Sequence, residues 1–171
     1  KTIYKWYRGT VEWSHLYKPD EYKGNRFWKL NFFPASQEVY DEMREDGVQA
    51  KLKFEGENTR KFREGCYFTL RRDCEKTFKG EVRKFNPPAI KDKDDNYLVK
   101  YVEVDGEIVR KGDPVLIGNG SEIEVLLEIY DAGQYGTGTR LLEVKIIDLI
   151  VYEKPEEVQD GGEEPEAEEV V

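Results

Sequence analysis

Short runs of alternating hydrophobic and polar residues recur along most of the chain, the pattern of strands with one buried face. Residues 3–13, IYKWYRGTVEW, are rich in aromatic and β-branched types and predict a strand. Residues 14–25, SHLYKPDEYKGN, read as a loop. Residues 26–34, RFWKLNFFP, predict a second strand, with Trp28, Leu30 and Phe32 on one face and Lys29 and Asn31 on the other. The period changes only over residues 36–47, SQEVYDEMREDG, which predict one short helix. Ser36 can cap it, Glu38 suits its first turn, Val39, Tyr40 and Met43 share a face, and Gly47 ends it.

Further strands are predicted over 48–56, 66–72, 81–85, 96–104, 107–112, 122–131 and 139–153. Turn signals separate them, notably Pro87-Pro88, Asp105-Gly106, Gly118-Asn119-Gly120 and the glycines of AGQYGTG. Many short strands with a single helix predict an all-β closed barrel or sandwich. From Pro155 onward there is no aromatic residue and almost nothing apolar, so the end of the chain is expected to be disordered. The expected organisation is a folded domain over 1–152 and an acidic tail over 153–171.

Charge sharpens this division. The chain of 171 residues has a net charge of −9, yet residues 153–171 hold nine acidic residues and one lysine. The folded part is therefore almost neutral. Within it, residues 51–84 carry eleven Lys or Arg against six Asp or Glu. A basic middle with an acidic end is the asymmetry of a nucleic-acid binder.

That basic stretch also interleaves rings with cations, in CYFTLRRDCEKTFKGEVRKFNPPAI over residues 66–90. On a strand, Tyr67, Thr69 and Arg71 point to one side, and Phe68 and Leu70 to the other. Single-stranded nucleic acid needs this combination, since cations follow phosphates and flat rings stack on bases. Arg71, Lys79, Arg83, Lys84 and Arg140 are the expected phosphate contacts, and Tyr67, Phe78, Phe85 and Tyr135 the stacking candidates. Tyr135 and Arg140 fall in AGQYGTGTR, read as a mobile hairpin tip. The competing reading is a core of aromatics under ordinary surface lysines, to which Trp6 and Trp28 are assigned.

Other chemistry finds little support. The glycines of IGNGSEIEV lack the Lys-Ser/Thr of a phosphate loop and open onto a strand, so a tight turn is expected. DKDDNYLVKYVE spaces Asp92, Asp94, Asn96 and Glu103 like a calcium loop, but has Tyr97 where that loop needs glycine. One histidine, His15, offers no triad or metal cluster, and Cys66 and Cys74 match no zinc spacing. The thiols are expected to be buried and reduced. No metal, no cofactor and no enzymatic activity are expected. No stretch reaches the roughly 18 apolar residues of a membrane span, and no secretory signal opens the chain, so the cytoplasm is expected. The chain opens on Lys1 rather than methionine, as expected if a few residues precede it or were removed.

The segments RKFNPPAI and GDPVLIGNGSEIEVLLEIYDAGQYGTGTRLLEVKIIDLIVYE, followed by an acidic tail, resemble the T7-like single-stranded DNA-binding proteins of tailed bacteriophages. The resemblance covers residues 80–171 well and the N-terminal half loosely. It implies an OB-fold barrel, sequence-independent binding of single strands in replication, recombination and repair, and compatibility with a homodimer. It also implies a tail that competes for the DNA groove and recruits polymerase, helicase or nuclease, here through Glu163, Glu164, Glu166, Glu168 and Glu169. Two departures stand out: the tail ends in Val170-Val171 rather than an aromatic residue, and the helix follows the second strand, earlier than in a simple OB order. The rival readings are an interaction or DNA-mimic barrel acting through its tail, and a nucleic-acid enzyme such as a nuclease.

Overall fold

The structure, a computed structural model, describes residues 1–151. Twelve strands and one α-helix follow one another as β1 (Ile3–Tyr22), β2 (Asn25–Pro34), α1 (Gln37–Glu45), β3 (Leu52–Phe54), β4 (Glu57–Thr59), β5 (Tyr67–Asp73), β6 (Glu75–Phe78), β7 (Glu81–Lys84), β8 (Ala89–Lys91), β9 (Tyr97–Val104), β10 (Glu107–Lys111), β11 (Ser121–Asp131) and β12 (Thr137–Asp148). A single 3-10 turn, Gly133–Tyr135, joins the last two.

Five of these strands make the barrel. Hydrogen-bonded neighbours run β12-β11-β1-β2-β5, and the sheet curls until β5 lies alongside β12. That last pair shares no ladder of backbone hydrogen bonds, so the barrel has one unzipped seam. The strand alternation that fills it is plainest in β11, where Ile123, Val125, Leu127 and Ile129 are buried and the residues between them are not. Opposite them stand Leu30, Phe32, Phe68, Leu70, Leu141 and Val144, all in the same core. A bulge between Leu126 and Leu127 resets the phase of β12, so that Leu141 and Val144 both face inward.

The helix forms where expected. Ser36 Oγ accepts the Val39 N–H at 3.3 Å, and Gly47, at φ +108°, stops it. Tyr40 and Met43 are buried against the barrel, and Arg44 fixes the exit by donating from Nη1 to the carbonyls of Val48 and Ala50.

Two expectations are corrected. Residues 14–22 are strand, not loop: β1 continues through two register shifts, between Glu12 and His15 and between His15 and Asp20. Trp13 takes the left-handed conformation at the first of these, its N–H held by Asn119 Oδ1 of the IGNG turn. The last strand, expected to reach residue 153, ends at Asp148. Beyond the barrel, β8 joins β12 in parallel, and β9 and β10 extend the same sheet outward. β6 and β7 form a separate two-stranded ribbon. Both cysteines are free and buried, and burial pushes the Cys74 thiol up to about 11, leaving it protonated and inert. The expected tail lies outside the described residues. Among the described residues no helix is long and apolar enough to cross a membrane.

Candidate nucleic-acid interface

An unzipped seam between two barrel strands leaves a groove, and its lining decides what can lie in it. One stretch, of about 500 Å³, runs between β12 and the β3–β5 side, with Lys51, Lys53, Thr69, Arg71, Thr137 and Thr139 in its walls. Next to it a narrower cleft of about 160 Å³ is walled by Arg71, Arg72, Lys76 and Arg140 against a single carboxylate, Asp73, with Phe85 and Tyr130 as its rings. A third stretch, of about 670 Å³, opens between the β1–β2 hairpin and β6, again bordered by Arg71 and Lys76. Arg71 borders all three, so they form one track with Arg71 at its centre.

Three arginines on this track lie against aromatic rings. The Arg71 guanidinium lies 4.9 Å from the Phe27 ring, that of Arg72 lies 5.6 Å from Phe85, and that of Arg140 lies 3.9 Å from Tyr130. Arg72 also donates from Nε to the Asn86 carbonyl at 2.7 Å, which locks its direction. Burial and the nearby charge of Arg140 draw its affinity for a proton below that of an ordinary arginine, although Glu128 opposes this. Arg72 and Arg140 thus repel one another, and an anion placed between them relieves that repulsion. Arg140 is paired to Glu128 at 3.3 Å. Among the described residues Arg71, Arg72, Lys76, Lys79, Arg83 and Lys84 make no ion pair.

Tyr130 was not among the residues expected from sequence, and Gly138 explains its placement. The two are cross-strand partners, and a Cβ at Gly138 would collide with the Tyr130 ring. The glycine lets that ring lie across the β12 backbone, where Arg140 stacks on it. A glycine two residues before an arginine, in a strand facing an aromatic one, was the available signal.

The expected site residues separate into groups. Arg71, Phe85 and Arg140 meet at the seam. Phe78, Lys79, Arg83 and Lys84 lie on the β6–β7 ribbon, with Phe78 65% exposed at its end. Lys76 and Arg83 are direct cross-strand partners there, a like-charge pair that destabilises the ribbon. Tyr135 is the most exposed large ring among the described residues, at 78%, on the 3-10 turn joining β11 to β12. Gln49 Oε1 accepts the Thr137 N–H at the base of that turn, and Thr137 Oγ1 donates to the Gly47 carbonyl, so the tip is anchored. Arg140 sits in β12, below the tip where the sequence placed it.

Tyr67 is different. Tyr67, Thr69 and Arg71 do share one side of β5, but exposure rises along the strand and Tyr67 is only 4% exposed. Its ring packs 5.0 Å from that of Phe33, so it has no open face for a base. Trp28 is buried, and Trp6 is half-buried with Lys91 and Lys145 Nζ at 5.5 and 4.7 Å from its ring. Asp92 uses one carboxylate oxygen to accept the N–H groups of Asp94 and Asn96, which closes the β8–β9 turn. The acidic residues Glu163, Glu164, Glu166, Glu168 and Glu169 lie outside the described residues.

The described residues define an elaborated OB-fold-like barrel, all-β apart from one helix, with a basic and aromatic groove along its open seam. Among solved structures the chain is similar to the crystal structure of gp2.5, a single-stranded DNA-binding protein encoded by bacteriophage T7. The TM-score is 0.54 at 15% sequence identity, over 96% of this chain and 100% of that one. No protein-family model and no curated protein sequence matches the chain.

Proposed function

We propose that this chain is a non-enzymatic, sequence-independent single-stranded DNA-binding protein that coats and protects exposed strands during phage DNA replication, recombination and repair. One observation carries the reading: the seam sets Arg71 and Arg72, which have no carboxylate partner among the described residues, against aromatic rings. Phosphates along Arg71, Arg72, Lys76, Arg83, Lys84 and Lys79 gain ion pairs that no carboxylate among the described residues already supplies. Phe85 and Tyr130 border the narrow cleft and Phe78 and Tyr135 are exposed rings outside it, and in this reading all four offer stacking surface to bases. The OB-like fold, shared with a phage single-stranded DNA-binding protein, supports the same conclusion. Residues 153–171, eight negative charges net, act in this reading as a tethered competitor for the groove, present at high effective concentration. DNA displaces them and frees them for replication proteins.

The test is titration of oligo-dT and of a matched duplex at several salt concentrations, with the full chain and with residues 153–171 removed. Preference for the single strand, a steep salt dependence and tighter binding after truncation are expected. Binding to neither form of DNA, by either protein, would favour the rival in which the tail itself is the working surface.

A further inference from the structure

The widest part of the track does not suit phosphates. Its walls carry Arg26, Arg71 and Lys76, but also Glu21, Asp73 and Glu75. Arg26 and Glu75 neutralise one another through contacts of 2.8 and 3.4 Å, which also tie the β1–β2 hairpin to β6. Cys74 strengthens that joint by donating its N–H to the Arg26 carbonyl. What remains is two cations and two carboxylates, a cleft without net charge at the end of a positive groove. Glu21 and Asp73 make no ion pair among the described residues.

An aromatic ring stands at this cleft as well. Tyr22 lines it and is 54% exposed, at the end of the β1–β2 hairpin. Lys23 and Gly24 form the turn there with φ of +51° and +82°, and Lys23 Nζ lies 5.3 Å from the Tyr22 ring. Across the cleft the β6–β7 ribbon repeats the device: Lys79 and Gly80 turn with φ of +51° and +83°, and Lys79 Nζ lies 5.5 Å from the Phe78 ring. Two hairpins of the same build, aromatic-Lys-Gly, flank a cleft whose volume of about 670 Å³ is that of a small-molecule site.

We infer that this cleft takes a base turned out of the bound strand, and that Asp73 and Glu21 select bases carrying an exocyclic amine. The inference rests on the single-strand reading above. Phosphates are repelled by two unpaired carboxylates, whereas a carboxylate is an acceptor suited to an amino group, as in recognition of the cytosine N4 amine. Tyr22 supplies the stacking surface, and Arg71 holds the adjoining phosphate at the mouth of the seam. In uracil or thymine the ring N–H sits between two carbonyls whose oxygens repel the same carboxylates. Binding is then independent of sequence along the seam and biased towards amino bases at this one subsite.

The experiment compares oligo-dC with oligo-dU, each about 16 nucleotides long so that the whole track is filled, at mildly alkaline pH where cytosine is unprotonated. For the wild-type full chain the expected preference is about three- to tenfold for dC, the worth of one partly solvated charge-assisted hydrogen bond. In the double variant Asp73→Ala, Glu21→Ala both oligomers are expected to bind more tightly, since two negative charges are gone, and the dC/dU ratio to fall to about one. Equal affinities in the wild type, or a ratio unchanged in the variant, would overturn the inference while leaving the single-strand reading standing. Failure of the wild type to bind either oligomer would overturn both.

Discussion

Cations are abundant on two sides of this barrel, and they behave differently. On the side built from β1, β11 and β12, Arg8 is paired to Glu122 and Glu124, Lys145 to Asp95 and Glu124, and Lys91 to Glu143. Lys5 reaches Glu42 and Asp46 at the exit of the helix. On the β5–β7 side, six Lys and Arg residues lack such partners among the described residues. The paired side has spent its charge within the fold, while the unpaired side keeps it for something else. Counting basic residues would not have distinguished them; counting their partners does.

Charge removal gives the sharpest way to break that contrast. Each single-strand phosphate contact adds about 0.7 to the salt slope, which at about 0.05 M salt is worth roughly tenfold in affinity. The triple variant Arg71→Ala, Lys76→Ala, Arg83→Ala is expected to weaken oligo-dT binding on the order of 100- to 1000-fold and to lower the slope by about 2. The matching triple on the paired side, Lys5→Ala, Arg8→Ala, Lys145→Ala, is expected to stay within about threefold, because charges farther than about 10 Å are screened. Comparable losses in both triples would abolish the distinction between the two sides.

Rings give the next largest effect. Phe78→Ala is expected to cost about 1–3 kcal/mol of binding to oligo-dT. Tyr4, equally exposed at 63% but on the paired side, is the control, and Tyr4→Ala should leave binding unchanged. Intrinsic fluorescence quenching by the oligomer, followed in each variant, would show which rings the bases reach.

The two sides also differ in how much the sequence disclosed. Alternation over 122–131 and the capped helix at 36–47 were legible because each rests on local chemistry. The strand over 14–22 was not, since Pro19 and a run of charged residues disguise a bulged ribbon as a loop. Tyr22 and Lys23 were lost with it. Alternation places Tyr67 and Arg71 on one side of β5 but is silent about what covers that side, and Phe33 covers Tyr67 alone. The cleft between Arg72 and Tyr130 joins residues far apart in sequence, which the closing of the barrel brings together. The charge asymmetry pointed to the stretch of chain that supplies Arg71, Arg72 and Lys76 to the groove, yet the pairing of each cation is a property of the fold.

The smallest effect separates stability from binding. Asp46 sits at the end of α1, where its Oδ2 accepts from Tyr7 Oη at 2.7 Å and from Lys5 Nζ at 2.8 Å. Burial disfavours its charge, but the bonds from Lys5 and Tyr7 outweigh that and hold its carboxyl below the usual carboxylate range. A depressed folded-state value stabilises the protein at pH above the unfolded value of about 4, and the contribution disappears as pH falls through the folded value. Asp46→Asn is therefore expected to cost about 1 kcal/mol at neutral pH and nearly nothing under strongly acidic conditions, where the wild type is protonated too. Chemical denaturation of both proteins across that range measures the convergence. Oligo-dT affinity should not change, because the carboxylate that Asp46 loses was already committed to Lys5 and Tyr7. A variant that lost affinity along with stability would mean that the helix-capped side takes part in binding, and that its ion pairs open when DNA arrives.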